Sequence, residues 1–230
     1  MTTPTENGRW RLTDIPVQSV FSKLPEMGKL MAILQSNGMT FERIGTVEAV
    51  ETADDLITLS GAHHDAQINP ARIEKILFDT NTVLKNKTYP RLECLNGHGD
   101  AVLSIFGWEG AEPFAMALAG VTRVADETEN TLFERSEPEE VQNDLGQLFL
   151  QSLCEAGTEV ELRAEKDGLR QSWRGVIESV KPSRGFTNVM TPDFHLHLKD
   201  GSIARWDAIN GTHHALAADG TRLGLSVIPS

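Results

Sequence analysis

Cysteine is nearly absent from this chain: Cys94 and Cys154 are the only two in 230 residues. Two thiols make neither a disulfide framework nor a cysteine-based zinc site. Both sit in apolar surroundings, where cysteine most often packs as a small hydrophobe. Long apolar runs are missing as well. Met1 to Leu12 is polar and lacks the apolar stretch of a signal peptide. The most apolar window, Ala101 to Val121, is broken by Glu109, Glu112, Pro113 and three glycines, so it does not read as a membrane span. Basic charge is scarce, with 21 Lys and Arg against 33 Asp and Glu and a formal net charge of -12 at pH 7. Nucleic-acid affinity comes largely from neutralising phosphates, and an anionic membrane surface makes the same demand. The sequence is therefore expected to be soluble and cytoplasmic, with no nucleic-acid partner and no membrane insertion. It names no protein partner. Common catalytic signatures are absent too: there is no Gly-x-Ser-x-Gly, no Gly-x-x-x-x-Gly-Lys and no His-Glu-x-x-His.

What is present is patterned apolar sequence. Val20, Phe21, Leu24, Met27, Leu30, Met31 and Leu34 recur at spacings of three and four, which predicts an amphipathic helix over 17–34, divided by Pro25. Short segments rich in Val, Ile, Thr and Phe follow at 40–44, 47–50, 56–59 and 64–68, separated by turn residues, as strands would be. Residues 70–77 read as a helical turn and 81–84 as a strand. Strands at 91–95 and 101–106 flank Asn96-Gly97-His98-Gly99, a hairpin turn. A short helix is expected from Glu112 to Leu118. A second amphipathic helix is expected over 139–155, with Val141, Leu145, Leu148, Phe149 and Leu153 on its stripe and Gly157 ending it.

The second half echoes the first. Shifting the chain by about 130 places lays Gly45-Thr-Val-Glu-Ala-Val50 over Gly175-Val-Ile-Glu-Ser-Val180, Leu59 over Val189 and Ile73 over Ile203. With a shorter connection, the hairpin around His98-Gly99 falls on Asp219-Gly220. The reading is an α+β fold built from a duplicated unit of antiparallel sheet with flanking helices, because the strands are too closely spaced for parallel crossovers. The expected organisation is a polar leader over 1–16, a first repeat over 17–125, an acidic linker over 126–140 and a second, shortened repeat over 141–230.

Histidine carries the candidate chemistry. His195 and His197, two apart in a strand, face the same way and can ligate one metal or line one pocket. The sequence nominates no further ligand, and two half-exposed structural histidines fit the pattern equally. His63 and His64 are adjacent, so at most one serves a given pocket.

The run Val189-Met-Thr-Pro-Asp-Phe-His-Leu-His-Leu-Lys199, followed by Ile203-Ala204, resembles a stretch near the end of the HemS/ChuX haem-utilisation family, roughly V-L-D-P-x-F-N-L-H-L-R and then I-A. Leu24-Pro-Glu-Met-Gly-Lys-Leu-Met31, Phe41-Glu-Arg-Ile-Gly45 and Leu92-Glu-Cys-Leu-Asn-Gly-His-Gly-Asp-Ala-Val102 are similar to three steps of its first repeat. The resemblance implies tandem repeats and haem as cofactor, bound in the bacterial cytoplasm for carriage or for degradation that releases iron. In a haem-trafficking member whose iron ligand has moved, His195 and His197 are the leading candidates, with His63 or His64 as the repeat-related counterpart. Gln171 falls on a pocket glutamine of the family, and Lys199 or Arg205 would meet a propionate. Larger members place a ligating histidine between the repeats, and here Asp126 to Gly157 contains none. Haem trafficking is thus the expected function, as a carrier more than a degrading enzyme, with no catalytic residue assigned. The alternatives are a scaffold that has lost haem binding and a non-haem metalloprotein using His195 and His197.

Overall fold

A computed structural model describes residues 8–84, 87–128 and 139–229. The chain divides into two compact units whose boundaries interleave. The first contains Met1–Ile33, Arg43–Asn130 and Asp167–Leu169; the second contains Leu34–Glu42, Thr131–Lys166 and Arg170–Ser230.

In the first unit, β1 (Arg9–Thr13) is followed by helix α1 (Val17–Phe21), a 3-10 turn at Leu24–Met27 and β2 (Lys29–Ser36), which runs on into the second unit. Of the helix expected over 17–34 and divided by Pro25, the part after Pro25 is therefore wrong. Pro25 tightens the chain into a 3-10 turn, and Gly28, at φ 74°, breaks it. Leu30, Ala32, Ile33 and Leu34 are then buried, and Met31 half-buried, across both faces of a strand. An apolar run of that length fits a fully buried strand as well as a helix, and the glycine decides. The expected polar leader also ends as strand, since β1 pairs with two neighbours.

β3 (Met39–Thr46) returns from β2, and β4 (Ala49–Ala53), β5 (Leu56–Ser60) and β6 (Asp65–Ile68) form an antiparallel meander. A 3-10 turn at Pro70–Arg72 leads into β7 (Lys75–Asp79), so the helical turn expected over 70–77 stops early. A small pair, β8 (Val83–Leu84) and β9 (Lys87–Thr88), precedes β10 (Arg91–Leu95), β11 (Ala101–Gly107), helix α2 (Glu112–Ala117) and β12 (Thr122–Ala125). The strand order here is β12-β1-β7-β10-β11-β2. Of the expected linker, residues 129–138 lie outside the described residues, whereas Asp126 reaches Lys75 at 3.5 Å and belongs to the first unit.

The second unit opens on helix α3 (Leu145–Ala156). It begins six residues later than expected because Asp144 caps it, accepting the Gln147 N–H at 2.8 Å. The other Asp144 carboxylate oxygen accepts the Gly201 N–H at 2.7 Å. Its buried face is Gly146 and Leu150, while Val141, Leu145 and Leu148 of the expected stripe are exposed. Asp144→Ala is expected to cost about 1–2 kcal/mol, read as a lowered urea midpoint at unchanged m-value.

Next come β13 (Glu159–Lys166), β14 (Leu169–Val176), β15 (Lys181–Ser183), β16 (Phe186–Met190), β17 (Phe194–Lys199), β18 (Arg205–Ile209), β19 (Thr212–Leu216) and β20 (Arg222–Pro229). The order β18-β19-β20-β13-β14 repeats, strand for strand, the order β7-β10-β11-β2-β3, and the meander β15-β16-β17 repeats β4-β5-β6. The duplication extends to single turns. Asn96 N–H donates to Asp100 O at 2.9 Å and Gly99 N–H to Asn96 O at 3.0 Å; Ala217 N–H donates to Thr221 O at 2.9 Å and Gly220 N–H to Ala217 O at 3.0 Å. Gly99 and Gly220 hold φ of 86° and 85°, a conformation that glycine adopts freely. Ile73 and Ile203, aligned by the shift of 130, are each buried just before β7 and β18. The fold is α+β, mostly antiparallel sheet, in two copies of one unit.

Candidate functional site

Strand alternation sets the site. On β17, Phe194, Leu196 and Leu198 are buried, which turns His195, His197 and Lys199 to the opposite face. Phe194 stacks on Trp173 at 4.7 Å between ring centroids and meets Phe41 of β3 at 4.8 Å, and these packed rings fix the strands. Glu42 follows Phe41 and therefore points away from the core, toward the histidines. The distance from His195 Nδ1 to Glu42 Oε2 is 2.9 Å, and from His197 Nε2 to the same oxygen it is 3.9 Å.

Asn188, directly across from His197 in the β16–β17 hairpin, orients the second ring. Its Nδ2 donates to the carbonyls of Lys181, at 2.9 Å, and Phe186, at 3.1 Å. Those two bonds leave Oδ1 to accept from His197 Nδ1–H at 2.6 Å. The assigned tautomer thus has its proton on Nδ1 and a lone pair on Nε2. Burial, against the attraction of Glu42 and together with the nearby His195, holds His197 below the usual imidazole pKa. A neutral imidazole with one nitrogen tied to a carbonyl and the other open is the form that ligates metals.

The other candidates are spread over several elements. Lys199 is exposed at the end of β17, and its backbone N–H donates to Gly38 O at 2.8 Å. Arg205 is on β18, where its Nε meets Asp207 Oδ1 at 3.2 Å. Gln171 of β14 is fully buried, and neither its Oε1 nor its Nε2 has a partner among the described residues. Such an amide costs about 1–3 kcal/mol, so an ordered water or a ligand group there would be stabilising. His63 and His64 belong to the first unit. His63 is exposed and its carbonyl accepts from Arg43 Nε at 2.8 Å; its ring lies so close over Gly45 that any Cβ there would meet it. His64 is 2% exposed, with Nε2 bonded to Gly45 O at 3.0 Å.

Glu42 and Asn188 are the residues that sequence reasoning missed. Asn188 was within reach, since the turn Thr191-Pro192-Asp193 implies a hairpin that sets it opposite His197. Glu42 lies 153 positions from His195, and no local pattern predicts that its strand lies beside β17.

The class defined by this architecture is a duplicated antiparallel α+β fold, and known structures share it. The haem-degrading enzyme ChuS of Escherichia coli O157:H7 superposes with a TM-score of 0.75 at 16% identity, over 97% of this chain and 81% of that one. Holo-PhuS, a haem-binding protein from Pseudomonas aeruginosa, superposes with a TM-score of 0.77 at 15% identity, over 97% and 82%. Residues 10–117 match the family described as haem utilisation ChuX/HutX, which bears out the resemblance read from the motifs. No curated protein matches the chain. Among the described residues no helix is long and apolar enough to cross a membrane.

Proposed function

We propose that this protein binds haem on the outer face of β17, where His197 Nε2 would hold its iron, and serves cytoplasmic haem trafficking in iron utilisation. The observation that carries the reading is the His197–Asn188 pair. It holds one imidazole neutral, with Nε2 open, on a half-exposed strand face. The haem-utilisation match over 10–117 and the fold held in common with a haem-binding protein support the same ligand. His195, tied to Glu42, stands next to the ligand and is its alternate. Lys199, two residues further along the same face, is free of the core and pairs with a propionate; Arg205 is engaged by Asp207 and contributes less. Titration with haemin tests the reading. A saturable Soret shift at one equivalent is the expected result, and its absence at tens of micromolar contradicts it.

A further inference from the structure

Glu42, His195 and His197 offer one ligand atom each, and all three atoms lie within 4.8 Å of one another. They come from β3 and from one face of β17, strands held by the Phe41–Phe194–Trp173 stack beneath them. Ligand atoms about 2.0–2.1 Å from a tetrahedral ion are separated by roughly 3.3 Å. The observed separations, 2.9 Å for His195 Nδ1 and 3.9 Å for His197 Nε2 from Glu42 Oε2, bracket that value. The two imidazole nitrogens lie within 4.8 Å of each other, and side-chain rotation draws the three atoms together on strands that stay in place.

We infer that Glu42, His195 and His197 form a binding site for a divalent first-row transition-metal ion, with three protein ligands and an open fourth position. Two imidazoles and one carboxylate suit zinc, cobalt, nickel or iron(II), and they offer too few oxygens for calcium or magnesium. His197 is preset for the role: its Nδ1–H is held by Asn188 Oδ1, so Nε2 faces Glu42 as a ligand nitrogen. His195 ligates through Nδ1, its ring proton moving to Nε2, and Glu42 supplies the anionic ligand in place of accepting the His195 hydrogen bond. The side chains retain 13% to 28% of their exposure, enough for an ion to enter and for a water to fill the open position. This site does not depend on haem, although the two ligands would exclude each other at His197.

The test uses the full chain, stripped of metal and titrated with cobalt(II) alone, then with zinc(II) in competition. Visible d–d absorption saturating at one cobalt per chain, and bleached by one zinc, is the expected result. Glu42→Gln and His197→Ala each weaken zinc binding by more than about 100-fold, whereas Asn188→Leu, which frees the ring of His197, weakens it within the 10- to 100-fold range of an orienting residue. His98→Ala, in the β10–β11 turn, leaves it unchanged. Circular dichroism of each variant shows whether it is folded. No saturable absorption at millimolar cobalt, or wild-type affinity in folded Glu42→Gln and His197→Ala, overturns the site. Haemin titration of the same proteins separates the two readings. Glu42→Gln keeps His197 and so retains haem while losing cobalt. A wild type that takes haem and no cobalt sinks the metal site alone, and one that takes cobalt and no haem sinks the haem reading alone.

Discussion

Asp79→Ala is expected to destabilise the protein by about 3–5 kcal/mol, the range found when one member of a buried ion network is removed. Asp79 is 1% exposed at the end of β7 and accepts from Arg9 Nη1 at 2.9 Å and Arg91 Nη2 at 3.0 Å. Its second oxygen accepts the Asn81 N–H at 2.7 Å. Glu93, equally buried on β10, pairs with the same two guanidinium groups. Four charged side chains on three adjacent strands thus balance each other inside the first unit, where Arg91 is 0% exposed. Burial pulls the Arg91 guanidinium below its usual pKa despite both carboxylates. Taking away one carboxylate leaves both cations on Glu93, with Asp126 as a more distant anion 3.9 Å from Arg9 Nε, and Arg91 has no access to water. Urea denaturation reads the loss directly. A change below about 1 kcal/mol, the scale of exposed ion pairs, would contradict it.

Acid is expected to destabilise the protein through His64. Its imidazole is pushed down to about 4, first by burial, with Arg43 and His63 adding like charge and the Gly45 carbonyl partly opposing them. In the unfolded chain the ring titrates near its ordinary value of 6.5. Between those values the unfolded state binds the proton and the folded state does not, so stability falls as the pH falls. The contribution is fully present above about pH 6.5 and is lost progressively toward pH 4, by roughly 3 kcal/mol in all at 1.36 kcal/mol per unit. His64→Gln can keep the donor to Gly45 O but does not titrate. It should remove this slope while leaving the fold intact at neutral pH. Urea midpoints taken across pH 4 to 7 for both proteins make the comparison, and equal slopes would contradict the assignment.

Local chemistry made much of the fold legible. The β10–β11 hairpin is marked by Asn96 to Gly99, and its copy at Ala217 to Thr221 has the same hydrogen bonds, so a faint sequence echo corresponds to a real duplication. The second half of the helix expected over 17–34 failed because Leu30, Ala32, Ile33 and Leu34 are buried on both faces of a strand, and such a run carries no period that separates strand from helix. The buried charges were hidden for a different reason. Arg91 and Glu93 alternate with Leu92 and Cys94, a pattern that reads as one polar, solvated face, yet all four are buried. At the candidate site, His195 and His197 were legible as a same-face pair because strand alternation is local. Their partner Glu42 depends on a pairing between distant strands, which register and periodicity within one segment do not reveal.

The histidine pair on β17 is the centre of the account, and haemin titration of the wild type beside the His195→Ala/His197→Ala double variant tests it most directly. Both side chains are half-buried on the outer face, so their removal leaves the Phe194, Leu196 and Leu198 core in place. The account predicts one haem per chain for the wild type, and for the folded double variant only the unsaturable absorbance of free haemin. Wild-type affinity in the double variant would contradict it.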